Sequence, residues 1–359
     1  MNFALTSLVV LLGVIYSKIK ENNWITISFV GLLCILIALR SIAVPDTDQY
    51  TLFFESLEAG NLANLVFFSY EPGFQLYSHL IKLIVGNNST IYLLVIVLTN
   101  VLLLRIAINK ISSNWSDDKP NYLLALMLYF AYYGLFYNAI VLRAGIAISF
   151  LILANTFLIK ENMSRKEKIT FISLIFLALV FHYSSLVGIV GLLIFKYFPK
   201  FTLRSYLIVW MICVLFFFSG ISIYFIKFIT TYILAFFKLF TATNLEKYEY
   251  YLTELYNIAY ILPFKYIFSL FSGLFFLLIS TTNTPNIYYK FLNVFFAGLL
   301  LGAIFSAIDQ FARISDYFLV YSFILYWYNF KYISNKWILG ILFGVVFIQL
   351  VFVFRIINV

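Results

Sequence analysis

The sequence predicts an all-α fold, a polytopic membrane bundle of about 11–13 transmembrane helices with a cavity at its outer face. Three observations carry that prediction. Of the 359 residues, 64% are hydrophobic and only 11% charged, with a mean hydropathy of +0.98. A soluble chain has about 25% charged residues, so the solvent of this chain is the bilayer. Apolar runs recur along the whole length, and the basic residues between them gather in a few short loops.

The runs lie at about 2–17, 25–42, 90–109, 121–137, 138–159, 169–181, 184–198, 205–225, 264–283, 288–307, 314–330 and 337–357. A spanning helix needs roughly 20 residues, and several runs are shorter. Phe3 to Tyr16 lacks a preceding basic region and a following small-x-small site, so it reads as a retained span. Aromatic residues reach 21%, with 42 Phe and 28 Tyr, which suits lipid-facing bulk and interfacial belts. Cys34 and Cys213 both sit in apolar runs, which argues against a disulfide or a zinc site.

Basic residues orient the set, because cytoplasmic loops retain Lys and Arg. The loops carrying Lys18/Lys20, Arg105 to Lys119, Lys160 to Lys168, Lys196 to Arg204 and Lys331/Lys336 are placed inside, and Lys290 follows. That side then holds 15 of the 24 basic residues but 5 of the 15 acidic ones. The net charge of +9 reports these loops and implies no nucleic acid partner. Run 169–198 has basic loops at both ends, so it crosses twice, as a hairpin turning at His182-Tyr-Ser-Ser185. Segment 73–86 reads as an interfacial or re-entrant helix on the outer face. Gln75, Ser78, His79 and Lys82 form a polar stripe opposite Phe74, Leu76, Leu80, Leu83 and Ile84. Two outer segments are long, 43–89 with this amphipathic helix and 227–262 with a Tyr-rich run. The whole chain, 1–359, is expected to form one integral membrane domain.

The unusual polar residues all fall on the outer side of this map. Arg143 stands alone in the apolar stretch 139–154. An uncompensated guanidinium at that depth costs on the order of 3 kcal/mol or more. It either snorkels to the nearby interface or meets an anion, for which its planar fork suits phosphate. Small neighbours (Ala144, Gly145, Ala147, Ser149) allow close approach. Asp46 and Asp48, with Tyr50, follow Pro45; they serve as a helix cap or as acids toward sugar hydroxyls. Glu71-Pro-Gly-Phe74 opens the amphipathic helix, where Glu favours the dipole and Gly73 suits close backbone contact. Arg313 has Asp309 and Asp316 at helical spacing, so it either pairs locally or binds phosphate. His182 is a hydrogen-bonded turn residue or an acid–base group. The chain has no P-loop, GxSxG or HExxH motif and no His/Cys cluster, so no cofactor and no metal site is expected.

The ordered motifs resemble those of the EpsG-like and Wzy-type polysaccharide polymerases of bacterial envelopes. Asp46-Thr-Asp48-Gln-Tyr50 is similar to the family's Asp-x-Tyr segment after two spans, and Glu71-Pro72-Gly73-Phe74 to its Glu-Pro-Gly-aromatic motif. Arg143-Ala144-Gly145 resembles its Arg-Gln helix start without the Gln. Phe181-His182-Tyr183-Ser184 matches Phe-His-x-Ser, and Arg313-Ile-Ser-Asp-Tyr317-Phe318 matches Arg-x-x-x-Tyr-aromatic. The resemblance implies a bundle of the membrane glycosyltransferase type in the bacterial inner membrane, with 43–89 and 227–262 periplasmic. It implies an O-antigen or related surface-polysaccharide polymerase joining oligosaccharides carried on undecaprenyl pyrophosphate, independently of metal. Arg143, His182, Asp48 and Glu71 would be catalytic; Arg313, Asp46, Tyr50 and Tyr317 would bind substrate. Membrane lipid and a chain-length regulator protein are the further partners implied. The rival readings are a flippase or exporter of lipid-linked sugar, which needs a polar path to both faces, and a polysaccharide acyltransferase, which wants its His on the cytoplasmic side.

The orientation is testable. Single cysteines at positions 48, 71, 182 and 313, in a background without Cys34 and Cys213, are expected to react with an impermeant reagent from the outer side. Labelling of position 182 only after the inner membrane is opened would overturn the hairpin.

Overall fold

The computed structural model describes residues 2–19, 22–58, 70–115, 121–160, 162–224, 228, 264–280, 284–305, 309–331 and 336–357, with side chains at all but 309–312 and 336–338. They are helical throughout, with no strand among the described residues. The helices are α1 Phe3–Ile19, α2 Asn23–Ala38, α3 Thr47–Ser56, α4 Pro72–Val85, α5 Ser89–Ser112, α6 Tyr122–Phe130, α7 Tyr133–Ala139, α8 Leu142–Asn155, α9 Arg165–Phe181, α10 Ser185–Tyr197, α11 Leu203–Ser219, α12 Phe264–Ile279, α13 Asn286–Phe305, α14 Asp309–Leu319, α15 Ser322–Lys331 and α16 Lys336–Ile357. Among the described residues, four stretches are long and apolar enough to cross a membrane: Ser89–Ser112, Leu142–Ile159, Asn286–Phe305 and Leu339–Ile357. Shorter apolar helices accompany them, so the architecture is the polytopic helical bundle expected. The Tyr-rich segment 227–262 lies outside the described residues apart from Phe228.

Helix starts follow local chemistry. Asn22, Asn88, Asn121 and Thr202 each accept a bond from a first-turn N–H, and Ser164 with Glu167 closes a capping box. Two apolar runs break where hydropathy shows no signal. Run 121–137 divides at Ala131 and Tyr132 into α6 and α7, and run 314–330 divides at Val320 and Tyr321 into α14 and α15. A third break matters for chemistry. Ile140 and Val141 both donate to the Phe136 carbonyl, at 3.0 and 3.2 Å, and the chain restarts as α8 at Leu142. Arg143 therefore occupies the first turn of a helix rather than its interior.

The chain forms two compact units, Met1–Tyr197 with Phe323–Val359, and Phe198–Ser322. In the first unit, α8 is almost wholly buried against α5, α7, α9 and α10. Its seam is polar: Asn100 of α5 donates to Asn138 of α7 at 2.9 Å, Ser149 of α8 donates to Asn100, and Asn138 donates to the Gly134 carbonyl at 2.7 Å. Such bonds bind helices together in lipid, where apolar contact alone distinguishes little. Helices α9 and α10 form the predicted hairpin, with His182 as the C-cap of α9.

Helix α4 is amphipathic, and it turns its polar face inward. Gln75, Ser78, His79 and Lys82 are all buried, whereas Leu76, Leu80, Leu83 and Ile84 are exposed. Lys82 donates to the Phe54 and Glu55 carbonyls at 2.8 and 3.1 Å, closing the end of α3, and Ser78 bonds the Tyr92 hydroxyl at 3.0 Å. Phe74 departs from the predicted apolar stripe and is fully buried.

In the second unit, α13 packs against α11, α12 and α14. Asn293 accepts from the Tyr206 hydroxyl and donates to the Pro199 carbonyl at 2.9 Å, while Trp210 donates to the Leu270 carbonyl at 2.8 Å.

Gly73 is what lets α4 meet α9. A Cβ there would lie 2.8 Å from Val180 Cγ1 and 2.9 Å from the Val180 carbonyl oxygen. Gly73→Ala is expected to lower the thermal midpoint of the purified protein, at about 1–3 kcal/mol for an overpacked contact. Gly31→Ala, in α2 with nothing within 4 Å, is expected to leave it unchanged or raise it. Equal midpoints for the two variants would overturn this account of the contact.

Candidate active site

The close approach of α4 to α9 brings Glu71 to His182. Glu71 is the N-cap of α4, with Pro72 in the first turn, yet its side chain makes no capping bond. It is buried, and each carboxylate oxygen has its own partner. Oε2 pairs with Arg143 Nη1, and Oε1 lies 2.7 Å from His182 Nδ1. Burial by itself would raise the Glu71 pKa. The His182 hydrogen bond and the Arg143 charge outweigh it and hold the carboxyl at about 2. Glu71 is thus a fixed anion and a poor base. With Nδ1 donating to Glu71, His182 presents an Nε2 lone pair that has no partner among the described residues.

Arg143 does not snorkel. Besides Glu71, its guanidinium stacks on the Tyr70 ring at 4.5 Å and lies within hydrogen-bonding range of the Tyr50 hydroxyl. A second glycine makes room at its helix. A Cβ on Gly145 would meet Tyr137 at 2.9 Å and Asn100 at 3.0 Å. Tyr50 and Tyr70 stack at 5.7 Å, and Phe74 meets both rings edge-on. Burial pushes both phenols up, Tyr70 to about 12, so the rings stay neutral donors.

The structure thus brings Glu71, Arg143, His182 and Tyr50 together. The two acids before Tyr50 stand differently. Asp46 is the N-cap of α3 but makes no side-chain capping bond, and its φ of 62° is left-handed, a conformation costly outside Gly and tolerated by Asp. Its charge is felt by Tyr50 and Tyr70. Asp48 is exposed in the first turn of α3. Neither acid forms an ion pair among the described residues.

Arg313 and Tyr317 belong to the second unit. Tyr317 is buried; Arg313 is exposed and has no ion pair among the described side chains. The local pairing expected of Asp316 is not what forms. Asp316 is buried and pairs instead with Lys265 of α12.

Comparison with known proteins gives the family. The family model for the EpsG family matches residues 4–359. The chain belongs to the EpsG family. No curated protein and no solved structure gives a significant match. EpsG-family proteins are Wzy-type polymerase-like, and membership supports a membrane-bound, polymerase-like role in polysaccharide biosynthesis.

Three participants were not read from the sequence. Tyr70 directly precedes the Glu-Pro-Gly motif of this EpsG-family chain, but nothing marked it as the platform for Arg143. Arg40 and Lys265 could have been found by orientation, since both are basic residues at span ends outside the basic loops. Arg40 is buried, donating from Nε to Thr47 Oγ1 at 2.9 Å and from Nη1 to the Ile37 carbonyl at 3.1 Å.

The depressed Glu71 pKa carries a pH signature. Its folded pKa, about 2, lies below the ordinary carboxyl value of 4.5. The stability it contributes is full above 4.5 and is lost as pH falls toward 2. Melts of the purified protein should show that acid-side loss, and Glu71→Gln should lack this component. The same slope in both proteins would assign the loss to other groups.

Proposed function

We propose that the protein is a glycosyltransferase that joins undecaprenyl-pyrophosphate-linked oligosaccharide units into O-antigen or a related surface polysaccharide. It would act on the periplasmic face of the bacterial inner membrane, without metal. The observation that carries this reading is the Glu71 carboxylate shared between Arg143 and His182.

That arrangement divides the work of a glycosyl transfer. Glu71 holds His182 by Nδ1, so Nε2 takes the proton of the acceptor hydroxyl as its oxygen attacks the anomeric carbon of the donor. The bond from that carbon to the pyrophosphate oxygen breaks, and the electron pair leaves with the pyrophosphate. Arg143 supplies fixed positive charge beside the reacting groups, where preorganised charge lowers the barrier as the leaving group develops. The Tyr50, Tyr70 and Phe74 rings offer apolar faces to sugar rings. Asp46 and Asp48 are proposed hydroxyl contacts, and exposed Arg313 with Tyr317 a further substrate contact. Cleavage of the donor drives the reaction, so no nucleotide or cofactor is needed.

A deletion strain tests the reading through its lipopolysaccharide gel. Chains capped by a single repeat unit are expected; complete absence of repeat units would instead indicate a flippase or an earlier step. Complementation with His182→Ala should fail at normal protein level, with a loss on the order of 100-fold or more for the base, and Arg143→Ala should fail with a lowered protein level as well, since it leaves Glu71 without its cation. Arg143→Lys should restore little, because a point charge lacks the planar fork. Full-length polysaccharide from either alanine variant would refute the assigned roles.

A further inference from the structure

Arg143 is not the only guanidinium on this face of the first unit, and it is the one whose charge is already met. Thr47 and Tyr50, one helical turn apart in α3, are both buried, as is Phe54 one turn further. Arg40 bonds the Thr47 side chain, and Arg143 lies against the Tyr50 hydroxyl, so the two cations meet the same face of α3. Tyr50 interacts electrostatically with both.

Their circumstances differ. Arg143 has Glu71; Arg40 has no carboxylate within ion-pair distance among the described residues. It is 6% exposed, its Nε and Nη1 bond neutral oxygens, and its Nη2, like the Nε of Arg143, is buried with no partner among the described residues. A buried, unpaired cation with an open donor is costly. Closing the end of α2 needs only the bond to the Ile37 carbonyl, for which a neutral donor would serve. Asp46, the nearest acid in sequence, hydrogen-bonds neither arginine.

We propose that Arg40 is a phosphoryl-binding residue of this site, its unpartnered Nη2 donating to an oxygen of the substrate's pyrophosphate. This rests on the glycosyltransferase reading above. Thr47 on Nε and the Ile37 carbonyl on Nη1 hold the guanidinium from two sides and leave Nη2 for the ligand, a division of donors that a planar guanidinium permits and an ammonium does not. Arg143 then acts beside the His182–Glu71 pair, while Arg40 supplies a positive charge that forms no ion pair among the described residues.

The test measures binding of farnesyl pyrophosphate and inorganic pyrophosphate to the full chain in detergent, with farnesol as the uncharged control. Wild type should bind farnesyl pyrophosphate, and not farnesol. Arg40→Gln should bind on the order of tenfold weaker or worse, and Arg40→Lys, which keeps the charge, several-fold weaker. Each variant is first shown to be monodisperse with a cooperative melt; should Arg40→Gln fail that check, Arg40→Lys alone decides. Arg40-dependent binding of inorganic pyrophosphate as well would extend the role to the released diphosphate end. Unchanged affinity in a folded variant overturns the assignment of Arg40 and leaves the glycosyltransferase reading intact. Failure of wild type to bind either pyrophosphate overturns that reading, and the role of Arg40 with it.

Discussion

The Glu71 carboxylate is the point on which the first unit depends. It is a buried anion, and it compensates a cation that the surrounding apolar helix could not hold alone. Leaving either partner of such a pair unpaired costs about 3–5 kcal/mol. Three segments distant in sequence must therefore arrive together: the start of α4, the first turn of α8 and the end of α9. Each arrival has its own local permission. Gly73 lets α4 touch the Val180 backbone, Gly145 lets α8 lie on Tyr137 and Asn100, and the break at Ile140 and Val141 puts Arg143 at a helix start.

The same logic of compensation shapes α4. In water an amphipathic helix hides its apolar stripe; here Gln75, Ser78, His79 and Lys82 are buried and the leucines face outward. The protein interior is where partners for polar groups exist, and lipid accepts Leu at no cost. Lys82 shows the consequence. Its ammonium closes the last turn of α3, so the helix carrying Tyr50 is tied at one end by Lys82 and at the other by Arg40 through Thr47. The aromatic wall of Tyr50, Tyr70 and Phe74 is thus set by polar bonds on both sides.

Chemically, the shared carboxylate separates functions that a single residue type could not combine. Held well below the usual carboxylate range, Glu71 remains charged and orients His182, whose second nitrogen has no partner among the described residues. Membership of the EpsG family supports a polymerase-like role in polysaccharide biosynthesis for this membrane protein. The second unit has an analogous economy in Lys265 and Asp316, a pair of half-buried Lys265 on α12 with buried Asp316 on α14 that leaves Arg313 exposed.

The sequence by itself determined the class of the fold, the α9–α10 hairpin and the amphipathic α4, because hydropathy, charge and helical period are properties of neighbouring residues. It also singled out Arg143, which is expensive where it stands, and Glu71 and His182 as members of ordered motifs. Tertiary structure alone decided the partnerships. The breaks at 131–132, 140–141 and 320–321 lie in or between unbroken apolar runs, where hydropathy is blind to a change of helix axis. Asp316 chose Lys265 rather than Arg313, its neighbour at helical spacing, and Glu71 took Arg143 and His182 together. The cost of burying a charge is written locally, residue by residue; what meets that charge depends on which backbones can approach, and only the folded chain determines that.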